Sequence, residues 1–239
     1  MNRMSFHPLL AATLLCLSTV VLASGTGQSA TFSQKGYKWG EMLPEQKIIM
    51  GLSGDIERGK EAFRGCRGCH KADGGGLADG TYPRLSGQHP SVVIKQVTEV
   101  RAGIRSNPKM DPFASDHALT PQEIADIAVY LEKLETKRDN GKGPGDRLSR
   151  GKALYDSGNC VSCHGEHGEG DAERAYPVVA SQHYGYLVRE MEWIQNGTRR
   201  NSHPRMVKSI ATYTRDDIEA VSDYMSRMPD YRSVTHESK

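Results

Sequence analysis

Cys66-Arg67-Gly68-Cys69-His70 and Cys160-Val161-Ser162-Cys163-His164 are two copies of one pattern, Cys-x-x-Cys-His. Read outward from them, the chain repeats itself. Tyr82-Pro83 is answered by Tyr176-Pro177, and Gln88-His89 by Gln182-His183. Gly103-Ile104-Arg105-Ser106-Asn107 is answered by Gly197-Thr198-Arg199-Arg200-Asn201, at the same offset as the cysteines. Upstream, Arg58-Gly59-Lys60 pairs with Arg150-Gly151-Lys152. Downstream, Ile124, Ile127, Leu131 and Leu134 share one helical face, and Ile218, Val221, Met225 and Met228 repeat that spacing. Thr120-Pro121-Gln122-Glu123 is a capping box with proline at the first helical position; Thr214-Arg215-Asp216-Asp217 is a weaker version. One unit of about eighty residues therefore occurs twice.

Each unit reads as mostly helix. A short helix leads into the cysteines, a second spans 92–104 with Val93, Val97, Val100 and Ile104 on one face, and the capped helix closes the unit. No run of alternating apolar residues asks for a strand, so the expected fold class is all-α, with two tandem domains. The expected layout is a first domain at 55–139, a Gly-rich linker at 140–145, a second domain at 146–232 and a tail at 233–239. Residues 24–54, with Trp39, Pro44 and Ile48-Ile49-Met50, form an N-terminal extension outside the repeat. Two readings stand for it: a segment wrapping its own domain, or a docking element. Arg3 followed by a short apolar run from Leu9 to Leu22 reads as a secretory signal over 1–23, with an uncleaved anchor as the rival.

The 239 residues are 37% apolar, with 31 basic against 29 acidic side chains. That excludes a multi-span membrane protein, and nothing global suggests nucleic acid. Four Phe and two Trp are few for two domains of this size, which need help from a disulfide, metal or cofactor. Loss of Cys16 with the signal leaves Cys66, Cys69, Cys160 and Cys163, all of them within the paired motif.

Cys-x-x-Cys-His is the attachment signature of c-type haem. Residues i and i+3 on a helical turn present both thiols to one side, where they can add to two vinyl groups of one porphyrin. The next residue, His70 or His164, then supplies an iron ligand. A zinc site and a redox dithiol are the rival readings. Two copies in one repeat favour haem, because they use every cysteine left after the signal. For the sixth iron position the candidates are Met110 and Met206, each after the repeated Gly-x-Arg-x-Asn stretch and in a Pro-containing loop. Met191, Met225 and Met228 fall on helical stripes and read as core. His89 and His183 also match across the repeat; each begins a predicted helix, where it reads as a cap, with iron ligation the alternative. His203 competes locally with Met206 but has no counterpart in the first unit.

The doubled motif with its downstream methionines, and GQHPSVVIKQVTEVRAGIRSNPKM at 87–110 in particular, resembles the dihaem cytochrome c4 family over residues 55–230. The resemblance implies two class I cytochrome c domains, each wrapped around one covalent haem, with the haems near a shared interface. It implies electron carriage in the periplasm, often to a terminal oxidase. It also implies that a proline carbonyl, here that of Pro83 or Pro177, accepts the N–H of the iron-bound imidazole.

The function expected is therefore an electron carrier, since both axial positions of each iron would be taken. A haem subunit bound permanently to a dehydrogenase is the alternative, and a peroxidase or other dihaem oxidoreductase a further one. Partners are expected to be redox proteins: an oxidase, reductase or dehydrogenase. Two windows without acids lead into the methionines. One holds Arg101, Arg105 and Lys109; the other holds Arg199, Arg200, Arg205 and Lys208 and runs on to Arg215. They read as a basic collar that steers a partner with an acidic face, or else as a solvated surface that also pairs haem carboxylates.

Overall fold

The structure, a computed structural model, describes Met1, residues 29–30 and residues 42–232. The expected signal at 1–23 and tail at 233–239 lie outside the described residues, apart from Met1. The first unit comprises α2 (Ile56–Ala62), a tight turn over Phe63–Cys66, α3 (Arg67–His70), α4 (Pro90–Arg101), α5 (Asp111–Ala114) and α6 (Pro121–Lys133). The second comprises α7 (Leu148–Ser157), α8 (Val161–His164), α9 (Tyr184–Gln195), α10 (Pro204–Ile210) and α11 (Arg215–Arg227). The strands among the described residues are β1 (Ser29–Ala30) and β2 (Gly54–Asp55), one short antiparallel pair. None of the described helices is long and apolar enough to cross a membrane.

Both closing helices start where the capping signals place them. The Thr120 hydroxyl accepts the Glu123 N–H at 3.2 Å, and the Glu123 carboxylate accepts the Thr120 N–H at 2.8 Å. Thr214 and Asp217 repeat the exchange at 3.2 and 3.0 Å. Satisfying these orphan N–H groups fixes each helix start, and its apolar stripe then turns inward. Ile124, Ile127 and Leu131 are buried in one core; Ile218, Val221, Met225 and Met228 are buried in the other, together with Met191. Helices α2 and α7 cross α6 and α11 at Gly59 and Gly151, where no side chain keeps the backbones apart.

The helix expected over 92–104 is displaced. It begins at Pro90, whose fixed φ suits the first helical position, and ends at Arg101. Gly103 then takes a left-handed φ of 68°, which turns the chain and leaves Ile104 39% exposed rather than on the buried stripe.

A further helix, α1 (Pro44–Met50), lies before the repeat and packs on α4 and α6. Ile49 and Met50 enter the first core, and Gln46 donates to the Thr98 hydroxyl at 2.9 Å. Glu45 pairs with Arg101. The Gly-rich bridge between the units is also held in place. Asn140 donates to the carbonyls of Ser226 and Gln182 at 2.6 and 3.3 Å, and the Gly145 N–H reaches Asp223 at 2.6 Å. In return Arg232, beyond α11, donates to the carbonyls of Glu132 and Leu134 at 2.7 and 3.0 Å. A guanidinium there satisfies the open end of α6 and complements its dipole. The bridge thus closes the last turn of α11, and Arg232 of the second unit closes that of α6.

Candidate functional site

Cys66, Cys69, His70 and Met110 of the first unit line one cavity of about 610 Å³, whose wall is completed by second-unit residues that include Tyr186, Glu190 and Arg199. Three segments bring the first four together. The turn before α3 and α3 itself carry the thiols and the imidazole. The loop after α4 carries Met110, which caps the single turn of α5. The loop at 71–89 brings Pro83 under the histidine: His70 Nδ1 lies 3.1 Å from the Pro83 carbonyl. A carbonyl can only accept, so Nδ1 holds the proton and Nε2 keeps its lone pair. This contact needs a glycine. Gly76, at φ 69°, passes so close that a Cβ there would lie 2.5 Å from the Pro83 carbonyl oxygen.

The second unit repeats the arrangement. His164 Nδ1 lies 2.9 Å from the Pro177 carbonyl, and Gly170, at φ 71°, takes the place of Gly76. Burial lowers the pKa of both imidazoles, which favours the neutral form a metal ligand must have. Cys160 and Met206 pack against the second core. Met206 differs from the loop position expected for it. His203 Nδ1 accepts the Arg205 N–H at 3.1 Å, Pro204 takes the first helical position, and Met206 falls in the first turn of α10. That bond makes His203 a helix cap.

The donor set suits a covalent haem better than zinc or a redox dithiol. Among the described residues no group of three or more His, Cys, Asp or Glu side chains could hold a metal ion. Burial, with the neighbouring cysteine second, pushes the Cys66 and Cys160 thiols up to about 11, the reverse of a reactive dithiol. Arg84 and Arg189 also line the first cavity, and each has a buried Nε without a hydrogen-bond partner among the described residues. Such groups suit the carboxylates of the porphyrin.

His89 and His183 precede α4 and α9, but neither ring serves as the cap expected. Each instead donates Nε2–H across the boundary between the units. His89 reaches the Glu169 carbonyl and His183 the Gly75 carbonyl, both at 2.7 Å. His183 Nδ1 also accepts the Gly141 N–H at 3.1 Å. Burial lowers the pKa of both rings and favours the neutral form these bonds require. The preceding glutamines do the same work. Gln88 exchanges two hydrogen bonds with the backbone of Val178 at 3.1 and 3.0 Å, and Gln182 two with that of Arg84 at 2.9 and 3.0 Å. Gln-His is thus a pairing element, used reciprocally about an approximate two-fold axis. The repeat of Gln-His was its only sequence signal, and a repeated polar pair reads equally well as two caps.

The basic collar is smaller than the sequence suggests. Arg105 and Arg199 are turned into the boundary between the units, with side chains 11% and 16% exposed, and both pair with Glu190. Arg101 is drawn to Glu45, and Arg215 to Glu192 and Glu219. Lys109, Arg200, Arg205 and Lys208 remain exposed. The acid-free windows concealed this because every partner lies outside them, and for Arg101 and Arg105 it comes from a distant part of the chain.

Two mirrored sites in an all-helical tandem, each with paired thiols, a carbonyl-oriented histidine and a methionine, define a dihaem c-type cytochrome. A family model described as cytochrome c matches twice, at residues 56–135 and 148–229. The thiosulfate dehydrogenase electron acceptor of Stutzerimonas stutzeri strain A1501 is 33% identical over 176 residues, covering 70% of this chain and 80% of that protein. Cytochrome c4 of Pseudomonas aeruginosa is 30% identical over 200 residues, covering 77% and 97%. The crystal structure of reduced recombinant cytochrome c4 from Pseudomonas stutzeri superposes with a TM-score of 0.66 at 26% identity, over 74% of this chain and all of that one. The chain belongs to the cytochrome c family and, within it, to the dihaem cytochrome c4 group. It carries two covalently bound c-type haems and serves in electron transfer.

Proposed function

We propose that this protein is a periplasmic electron shuttle in a respiratory chain and not an enzyme. The carrying observation is the cavity in which Cys66, Cys69, His70 and Met110 converge, with Cys160, His164 and Met206 in the matching positions of the second unit. Cys66 and Cys69 would hold one haem and Cys160 and Cys163 the other, as thioethers. His70 with Met110, and His164 with Met206, would be the axial ligands. Bound there, each haem supplies a one-electron iron couple. The carbonyls of Pro83 and Pro177 fix the imidazoles by taking their Nδ1 protons. The buried valines of α4 exclude water from the first site. With both axial positions filled, no open position would be left at either iron for a substrate, which favours a carrier over a peroxidase. The N-terminal apolar run and the haem-attachment motifs together support the periplasm.

The axial assignment is tested by replacing Met110 or Met206 with Ala. Each variant is expected to lose the weak red-region sulfur-to-iron charge-transfer band of one haem and to show a lowered midpoint for it. The full band in both variants would remove methionine from the assignment.

A redox protein with an acidic face is the partner proposed, docking where Lys109, Arg200, Arg205 and Lys208 remain exposed. Charge steering acts mainly on the association rate and is screened by salt. Stopped-flow electron transfer with the physiological partner should therefore slow as ionic strength rises. Arg205→Glu with Lys208→Glu should be slow at low salt and converge with the parent at high salt. A rate indifferent to both would mean a solvated surface only.

A second reading keeps this chain bound to a dehydrogenase, and the name of the Stutzerimonas relative, an electron acceptor of thiosulfate dehydrogenase, favours it. The seat of α1 in the first core supports Pro44–Met50 as part of its own domain rather than a docking element. Copurification of a dehydrogenase would decide for the bound subunit.

A further inference from the structure

At the boundary between the units, four matched side chains form one cluster, with Arg105 and Glu190 buried and Gln96 and Arg199 partly buried. Arg105 and Arg199 correspond in the repeat, and so do Gln96 of α4 and Glu190 of α9. Arg105 donates to Gln96 at 2.5 Å and to Glu190 at 3.0 Å. Arg199 donates to Glu190 at 2.7 Å and to Gln96 at 3.4 Å. Each guanidinium thus forks between one side chain of each unit. The pattern is symmetric in shape but not in charge, since the first unit offers an amide where the second offers a carboxylate. All four residues line the cavity that holds His70 and Met110. The Glu190 side chain is only 7% exposed.

We infer that Glu190 is the residue of this boundary that sets the haem potentials, through the negative charge it places among Arg105, Arg199 and Arg189 beside the haem site. The inference rests on the proposed assignment of two haems to the two motifs. A fixed negative charge favours the more positive, oxidised iron and so lowers the midpoint. Out of solvent its field is weakly screened. Without it, Arg105 and Arg199 lose the carboxylate they share, leaving the buried Glu99 of α4, itself held by Lys95 and Asn201, as the acid whose field still reaches Arg105, and reduction becomes easier. Gln96 shows that an amide can occupy the matching position and accept from both arginines. The charge is therefore separable from the hydrogen bonding.

The separation gives the test. Optical redox titration is run on the two-haem protein and on three variants: Glu190→Gln, Gln96→Glu, and the double variant that exchanges them. Glu190→Gln is expected to raise at least one midpoint. An effect of about tenfold in the reduction equilibrium corresponds to about 59 mV for a one-electron couple. Gln96→Glu, which keeps shape and adds a second carboxylate, is expected to lower it. The exchange keeps the net charge and should return the sum of the two midpoints towards the parent value. A purely structural Glu190 would lower the thermal midpoint of unfolding without these opposed shifts. Should Glu190→Gln not fold, Gln96→Glu still reads the sign. Two titrating haems with unmoved midpoints, or single variants that move them the same way, overturn this inference alone. Fewer than two covalent haems in the parent protein overturns the underlying assignment as well.

Discussion

Replacing Cys66 and Cys69 together with Ala is expected to leave a protein with one haem that resists acid–acetone extraction, where the parent retains two. The two attachment motifs share no cysteine, so the loss should be confined to the first site. Its structural effect should be large. The first core surrounds a cavity of about 610 Å³, bordered by Phe63, Val92, Val93, Val100 and Ile127. Without haem those apolar side chains would face water in place of the porphyrin, each forfeiting burial worth about 1.5–3 kcal/mol. Summed over the lining, that is comparable with the whole stability of a typical domain, about 5–15 kcal/mol. The first unit should therefore collapse or unfold, and limited proteolysis should cut within 55–139 before it cuts the second unit. Two retained haems in the variant, or extractable haem in the parent, would contradict the attachment at these cysteines.

Much of this was legible in the sequence because it is local. A capping box is written within four residues, and Thr120 and Thr214 start their helices where the boxes place them. The Cys-x-x-Cys-His turns are local too, and so is the helical stripe that buries Ile124 or Ile218. What stayed hidden depends on pairing between distant positions. Arg105 and Arg199 look like surface charges until α9 brings Glu190 between them. His89 and His183 look like caps until their acceptors, about eighty and one hundred residues away, come into reach. Charge, exposure and hydrogen-bonding partner are properties of the assembled boundary between the units, and periodicity does not record it. The seat of α1 was hidden for a related reason. Ile49 and Met50 are apolar, but seven residues outside the repeat carry too little pattern to say which surface they cover.

Gly151→Val is expected to be among the most destabilising single substitutions away from the haem ligands. A Cβ at Gly151 would lie 2.1 Å from the backbone oxygen of Ala220 and 2.8 Å from the Tyr224 side chain. The nearer obstacle is backbone of α11, which cannot rotate aside, so the two helices must separate. Separation would open the second core where Tyr155 and Val221, both fully buried, meet. Gly59 is the equivalent in the first unit, 2.1 Å from the Asp126 carbonyl oxygen by the same construction. Overpacking of this kind, in which neither neighbour can yield, belongs to the class of substitutions costing about 4 kcal/mol or more. For a domain of this size that is a fall in Tm of about 15 °C or more. Gly68→Ala is the control. Gly68 lies in α3 with nothing within 4 Å of a Cβ, and there the gain in helix propensity should leave Tm unchanged or slightly raised. Thermal unfolding followed by circular dichroism distinguishes the pair. Equal, small effects from both substitutions would mean that the crossing of α7 and α11 does not depend on backbone contact at Gly151.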